Sequence, residues 1–246
     1  MIMIEARNLT KKFGTLAAVD NISFTIAAGE VVGFLGPNGA GKSTTMRLLT
    51  GFLDADGGSA HICGHDMATA RSEGQFCFGY LPEAAGGYPH LTVREFLFYC
   101  GESRKLFGQE LRVSINNVCS MIDLESALDK PMKTLSKGWR QRTWLAQAIL
   151  HDPPVLILDE PTDGLDPIQK EQVRTLIHSI APKKAIILST HILEEAEVIC
   201  TRAIIIANGS VVADDTPGNL SDDKGRMANA FHRLAANPQS VAEKST

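Results

Sequence analysis

No apolar run in this chain approaches the ~18 residues that crossing a bilayer requires. A secretory signal is also missing, because "MIMIEARNLTKKFG" meets Glu5 and Arg7 too early. The chain lacks a surplus of positive charge as well. It carries 24 basic against 28 acidic side chains, a net charge of −4, which argues against a polyanion as its main partner. The five cysteines (Cys63, Cys77, Cys100, Cys119 and Cys200) are odd in number, scattered, and form no CxxC. That pattern speaks against a disulfide framework or a metal ribbon and fits small buried hydrophobes in a reducing compartment. The sequence is expected to be cytosolic, or at most peripheral to a membrane through a partner. There is no internal repeat.

What is present is a soluble composition, 44% hydrophobic and 21% charged, over 246 residues. That length suits one large domain, or one core with a small subdomain. Short apolar runs bounded by turn residues recur: "VVGFL" (31–35), "VLIL" (155–158), "AIIL" (185–188) and "AIII" (203–206). They read as strands buried on both faces of a parallel sheet. Helical segments at 42–51, 167–180 and 192–199 alternate with them, so the class is α/β. Asn208-Gly209 between "AIIIA" and "SVVAD" predicts a type I′ hairpin. From about 84 to 150 strand signals vanish and the stretch reads as a helical insert. Thr92 with Glu95 forms a capping box there, Pro131 breaks the pattern, and Ser136 stands near the N-cap of a further helix. The last thirty residues predict a short helix around 226–235 and a frayed tail.

"GPNGAGKS", Gly36–Ser43, follows one of these strands and opens a helix, the strand–loop–helix context that G-x-x-x-x-G-K-[ST] requires. Gly36, Gly39 and Gly41 let backbone N–H groups turn inward at phosphate oxygens, with Pro37, Asn38, Ala40 and Thr44 completing the loop. Lys42 supplies a charge for the β/γ-phosphates and Ser43 a hydroxyl for Mg²⁺. "VLILDEP" delivers Asp159 to the sheet edge as a second Mg²⁺ contact, and Glu160, one residue on, is placed to polarise a water.

Together with "LSKGW" (135–139), "LDEP" (158–161), "GLD" (164–166) and His191 in "STHILEE", these motifs occur in the order and spacing of ABC-type ATPases. Over nearly all of 1–215 the chain resembles a nucleotide-binding subunit of an ABC transporter. The resemblance implies a P-loop NTPase (RecA-like) core with an antiparallel β subdomain, spanning 1–83 and 151–215. It also implies an inserted α-helical subdomain at about 84–150, with 216–246 as a short terminal helix and tail. The implied activity is hydrolysis of ATP with Mg²⁺ at a head-to-tail dimer interface, in a homodimer or heterodimer. A transmembrane permease on a separate chain would couple to it and hold the subunit on the inner face of the cell membrane.

Residue by residue, Phe13 matches the aromatic that stacks on adenine, or is a core residue of an edge strand. Glu83 in "GYLPE" occupies the position of the family's glutamine loop, which senses the γ-phosphate and Mg²⁺. When ionised it cannot donate a hydrogen bond, so it would act through Mg²⁺ or water. His191 matches the histidine that holds the γ-phosphate and orients Glu160. Asp166 matches the residue linking the two sites of the dimer, and it equally suits a helix N-cap before Pro167. Leu135, Ser136, Lys137, Gly138 and Trp139 form the loop that reads the opposing subunit's nucleotide, with Ser136 and Gly138 suited to the γ-phosphate.

Lys137 replaces the family's usual first glycine and Trp139 its glutamine. Lys137 either adds charge near the triphosphate or points to solvent. Trp139 packs on the ribose, on the facing subunit, or in the helical subdomain's core. Arg140 and Arg142 read as surface or inter-subunit charges. "GYLPE" with "LSKGWRQR" resembles exporter subunits serving separate permeases (drug, gliding and copper-maturation systems), whereas importers more often show glutamine and "LSGGQ".

Other classes fit less well. DNA-repair and chromosome ATPases carry long coiled coils where only 91 residues separate Ser43 from Leu135. Translation factors usually carry two such domains, and no N-K-x-D guanine motif appears. Nucleic acid is not an expected partner.

Overall fold

The computed structural model describes residues 1–83 and 86–221, together with Met227 and Phe231. All four apolar runs are strands of one six-stranded sheet. They are β3 (Val31–Leu35), β7 (Val155–Asp159), β8 (Ala185–Thr190) and β9 (Arg202–Ala207), joined by β6 (Phe78–Leu81) and β10 (Ser210–Asp215). The order is β10-β9-β3-β8-β7-β6, parallel except for the antiparallel β9–β10 pair. Asn208 and Gly209 both adopt positive φ between these two strands, as a type I′ turn requires.

The continuous hydrophobicity of these strands has a physical cause: successive side chains enter different cores. Val32, Phe34, Ile157 and Ile187 face one cluster, and Val31, Leu35, Leu158 and Leu188 face the other. The first cluster is closed by a second, antiparallel sheet in the order β2-β1-β4-β5. Its strands are β1 (Ile2–Phe13), β2 (Leu16–Ala27), β4 (Gly57–Ile62) and the short β5 (His65–Asp66). β1 bulges repeatedly against β2, which explains why its burial does not alternate cleanly along the sequence.

The second cluster is covered by helices. Within 84–150 these are α3 (Val93–Ser103), α4 (Gly108–Met121) and α5 (Lys137–Ile149), and none of the described residues there joins either sheet. The Thr92–Glu95 capping box forms, and Ser136 caps α5 by accepting from the Trp139 N–H. α1 (Lys42–Leu49) stops two residues short of expectation, where Gly51 turns to φ +67. α2 (Arg71–Phe76) was not signalled by the sequence. α6 (Pro167–Ile180) occupies the expected span, and α7 (Leu193–Ile199) begins one residue late. The helix expected around 226–235 lies outside the described residues except for Met227 and Phe231, which are buried in the second cluster. Among the described residues no helix is long and apolar enough to cross a membrane. Cys119 and Cys200 are buried, the other three cysteines are half-buried, and all five are free.

Candidate active site

The loop after β3 closes tightly because its glycines go where a side chain cannot. Gly41 has φ +108, and a Cβ there would meet the Ala18 carbonyl at 2.3 Å. Gly39 has φ +80 and faces open space. The β9–β10 hairpin braces the loop from outside, the Gly209 N–H donating to the Ala40 carbonyl at 3.1 Å. Lys42 lies buried over the loop, donating to the carbonyls of Gly36 (2.7 Å) and Pro37 (3.2 Å). Burial pushes its pKa down, opposed by the nearby carboxylates of Glu160, Asp159 and Glu83.

β7 carries Asp159 to the same end of the sheet. Its Oδ1 accepts from the Ser189 hydroxyl on β8 and lies 3.3 Å from the Ser43 hydroxyl, which is 3.1 Å from Glu83 Oε2. Asp159 Oδ2 is buried with no hydrogen-bond partner. An orphaned carboxylate oxygen beside a hydroxyl and a second carboxylate is a hard oxygen set that fits Mg²⁺. Burial pushes the Asp159 carboxyl above its ordinary pKa, against the hydrogen bonds of Ser189 and Ser43, which lower it.

Glu160, next in sequence, sits at φ +51 and is buried. Its Oε1 lies 3.0 Å from His191 Nδ1. Burial raises the Glu160 pKa, while the hydrogen bond and charge of His191 and the charge of Lys42 restrain the rise.

Lys42, Ser43, Glu83 and Glu160 open onto a cavity of about 390 Å³. Phe13, Asn38, Gly39, Gly41, Lys42, Ser43, Thr44, Glu83 and Glu160 line it. Phe13 is 51% exposed there, so it is not a core residue of its strand, and Lys11 Nζ stands 5.9 Å from its ring.

The 135–139 stretch and Asp166 do not line this cavity. Leu135 is buried, Lys137 pairs with Asp163, and Gly138 packs beside Gln169 and Gly164. Asp166 caps α6, accepting from the Gln169 N–H at 2.9 Å. Trp139 lies between two cations of its own chain. The Arg142 guanidinium is 3.9 Å and Lys130 Nζ 5.3 Å from its ring centre, and its apolar edge joins the helical core.

The expectation that Arg142 is a surface or inter-subunit charge is corrected. It is 3% exposed, because the Ile122 and Asp123 carbonyls accept its N–H groups and Trp139 covers its plane. Arg140 is half-buried and donates to the Leu135 carbonyl.

Two residues of the site escaped the sequence reading. Ser189 holds both Asp159 and the Glu160 N–H. Gln141 donates from Nε2 to the Glu160 carbonyl at 2.9 Å. Ser189 lies on β8 two residues before His191, which follows the end of that strand. Gln141 acts across 19 positions of sequence, for which no local pattern exists.

The model of the ABC transporter family matches residues 19–163. The chain is 36% identical over 225 residues to the Nod factor export ATP-binding protein I of Burkholderia lata, covering 90% of this chain and 73% of that one. It is 35% identical over 228 residues to the probable multidrug ABC transporter ATP-binding protein YbhF of Escherichia coli, covering 92% of this chain but 39% of that longer protein. Among solved structures, an ATP-binding subunit of an ABC transporter superposes with a TM-score of 0.87 at 29% identity, covering 94% of this chain and 99% of that one. A dimeric bacterial ABC transporter cassette superposes at 0.81 with 24% identity, covering 87% and 98%, and shares the fold. A strand-borne phosphate loop, two carboxylates and a histidine at one sheet end, inside a fold shared with these proteins, lead to one family: the chain belongs to the ABC transporters, as one of their ATP-binding, ATP-hydrolysing subunits.

Proposed function

We propose that this chain pairs head to tail with a second nucleotide-binding subunit, identical or not, and hydrolyses ATP to drive export through a separate permease. The observation that supports the catalytic half is the meeting of Lys42, Ser43, Glu83 and Glu160 in one cavity edged by the exposed ring of Phe13, with Asp159 beside Ser43 and His191 beside Glu160. Phe13 stacks on adenine, and residues 36–44 wrap the phosphates. Ser43, Asp159 and Glu83 would hold Mg²⁺, which when bound neutralises the triphosphate. Ser136 and Gly138 of the opposing subunit complete the γ-phosphate site, and Asp166 lies at the boundary between the two sites.

In the reaction, a water oxygen forms a bond to the γ-phosphorus as the bond to the β–γ bridging oxygen breaks. Glu160 receives the water's proton, its raised pKa making it a better acceptor than an ordinary carboxylate. His191 holds Glu160 in place and Lys42 offsets charge building on the phosphate oxygens.

Export is supported by the names of the relatives, and the partner by a second groove. This groove, about 640 Å³, lies beside the nucleotide cavity and shares Glu83 with it. Phe52, Tyr80, Trp144, Arg47 and Arg104 also line it. An apolar floor with cationic edges suits a short cytoplasmic helix of a permease, and Glu83 would report nucleotide state to it. The chain would then sit on the inner face of the membrane, held by that partner.

The test is Glu160→Gln, which should bind ATP with near wild-type affinity, fail to turn it over, and accumulate as a dimer in size exclusion with ATP and Mg²⁺. Lys42→Ala should lose nucleotide binding in the same assay. Wild-type turnover by Glu160→Gln would remove Glu160 from the mechanism.

A further inference from the structure

Lys137 and Gln141 stand one turn apart on α5, and both reach the turn that follows Asp159. Lys137 Nζ pairs with Asp163 Oδ2 at 2.6 Å. Its aliphatic stem covers Gly164 so closely that a Cβ there would fall 2.4 Å from Lys137 Cδ. Gln141 donates to the Glu160 carbonyl at 2.9 Å, and the Asp163 N–H donates to the same oxygen at 3.1 Å. Both lone pairs of that carbonyl are therefore used, at a residue held in the left-handed region that non-glycine residues seldom occupy. The far side of the turn is tied down as well. The Thr162 hydroxyl bonds to the buried Glu195 of α7, whose other oxygen pairs with Lys170 of α6 at 2.9 Å.

Of these anchors, Lys137–Asp163 is the exposed one, its side chains 65% and 43% accessible. A glycine at position 137 would have no side chain with which to make the pair.

We propose that Lys137 is a positioning residue for Glu160. Through Asp163 it fixes the 160–164 turn against the N-terminus of α5, so that movement of the trans-reading Ser136–Gly138 segment is passed to the carboxylate of its own subunit. Lys137 thereby acts on the rate of hydrolysis in cis and does not hold the opposing nucleotide. The proposal rests on the reading of Glu160 as proton acceptor.

The experiment is steady-state ATPase kinetics of the full chain for Lys137→Met, Asp163→Asn, their double variant and Lys137→Arg. Each neutralising change should lower kcat roughly two- to fivefold, the size of an exposed ion pair, with KM for ATP within about twofold of wild type. The double variant should fall no further than the worse single one, and Lys137→Arg should restore the rate. Raising NaCl to about 0.5 M should pull wild-type kcat toward the variants, which should themselves change less. Losses that multiply in the double variant would overturn the proposal. So would a raised KM in Lys137→Met with Asp163→Asn silent, the pattern of a phosphate ligand. Turnover by Glu160→Gln at the wild-type rate is a separate outcome, removing the reading of Glu160 itself.

Discussion

The chemistry of the site turns on two adjacent residues with opposite needs. Asp159 and Glu160 are both buried and both pushed above ordinary carboxylate pKa values by desolvation. Asp159 has a buried oxygen with no hydrogen-bond partner among the described residues, whereas Glu160 has His191 at 3.0 Å. As the proposed proton acceptor, Glu160 works only when ionised, so its raised pKa should move the acid limb of the rate profile upward from where an unperturbed glutamate would place it. His191 works in the opposite direction, since its hydrogen bond and charge lower the Glu160 pKa. Removing it must therefore raise that pKa further. In a kcat–pH series, His191→Ala should show its acid limb shifted to higher pH, in addition to a lower plateau. A variant with a reduced plateau and an unmoved limb would mean that His191 acts on the phosphate alone.

Among the elements, α5 carries the heaviest structural demand. Its N-terminal end presents Ser136 and Gly138, its middle holds Glu160 through Gln141, and its C-terminal part runs against β6. That last contact is so close that a Cβ on Gly79 would lie 1.7 Å from the Ala148 carbonyl oxygen and 3.0 Å from the Leu156 side chain. Gly79→Ala should therefore force α5 away from the sheet and cost on the order of 3 kcal/mol, read as a lower urea midpoint. Because β6 leads to Glu83 and α5 begins within the 135–139 stretch, the same change should lower ATPase activity in protein that remains folded. An unchanged midpoint would mean that helix and strand do not meet as described. The local signals for these elements were strong where the cause was local. The Thr92 capping box, the Ser136 cap and the Asn208-Gly209 turn all form from neighbouring residues. Where the cause was distant, as for buried Arg142 satisfied by carbonyls twenty positions away, a surface reading was the natural error.

At the scale of the whole molecule, the nucleotide cavity and the second groove are neighbours that share Glu83. Phe52, 79% exposed at the rim of that groove, is a large apolar side chain that joins neither hydrophobic cluster of the described residues. In mild detergent the chain should co-purify with a multi-helix membrane protein, and Phe52→Glu should reduce the yield of that complex severalfold. Undiminished capture by the variant would place the permease on another face.

By itself the sequence determined the α/β class, the four central strands and the glycine-rich loop between β3 and α1. It also placed the identities of Lys42, Ser43, Asp159, Glu160 and His191 at their spacings. These are consequences of local rules: hydrophobic runs long enough for buried strands, and glycines where backbone must approach phosphate. Only the tertiary structure decided what Lys137, Gln141 and Arg142 do, because each bonds to groups distant in sequence that only packing brings near; it also set Trp139 against Lys130 and against Arg142, one turn on along α5. The basic, aromatic stretch "LSKGWRQR" is thus mostly an internal fastening of this chain: Trp139 between Arg142 and Lys130, Gln141 on Glu160 and Lys137 on Asp163. Desolvated cations and amides must find partners within the fold, and here those partners include the turn that carries the proposed proton acceptor.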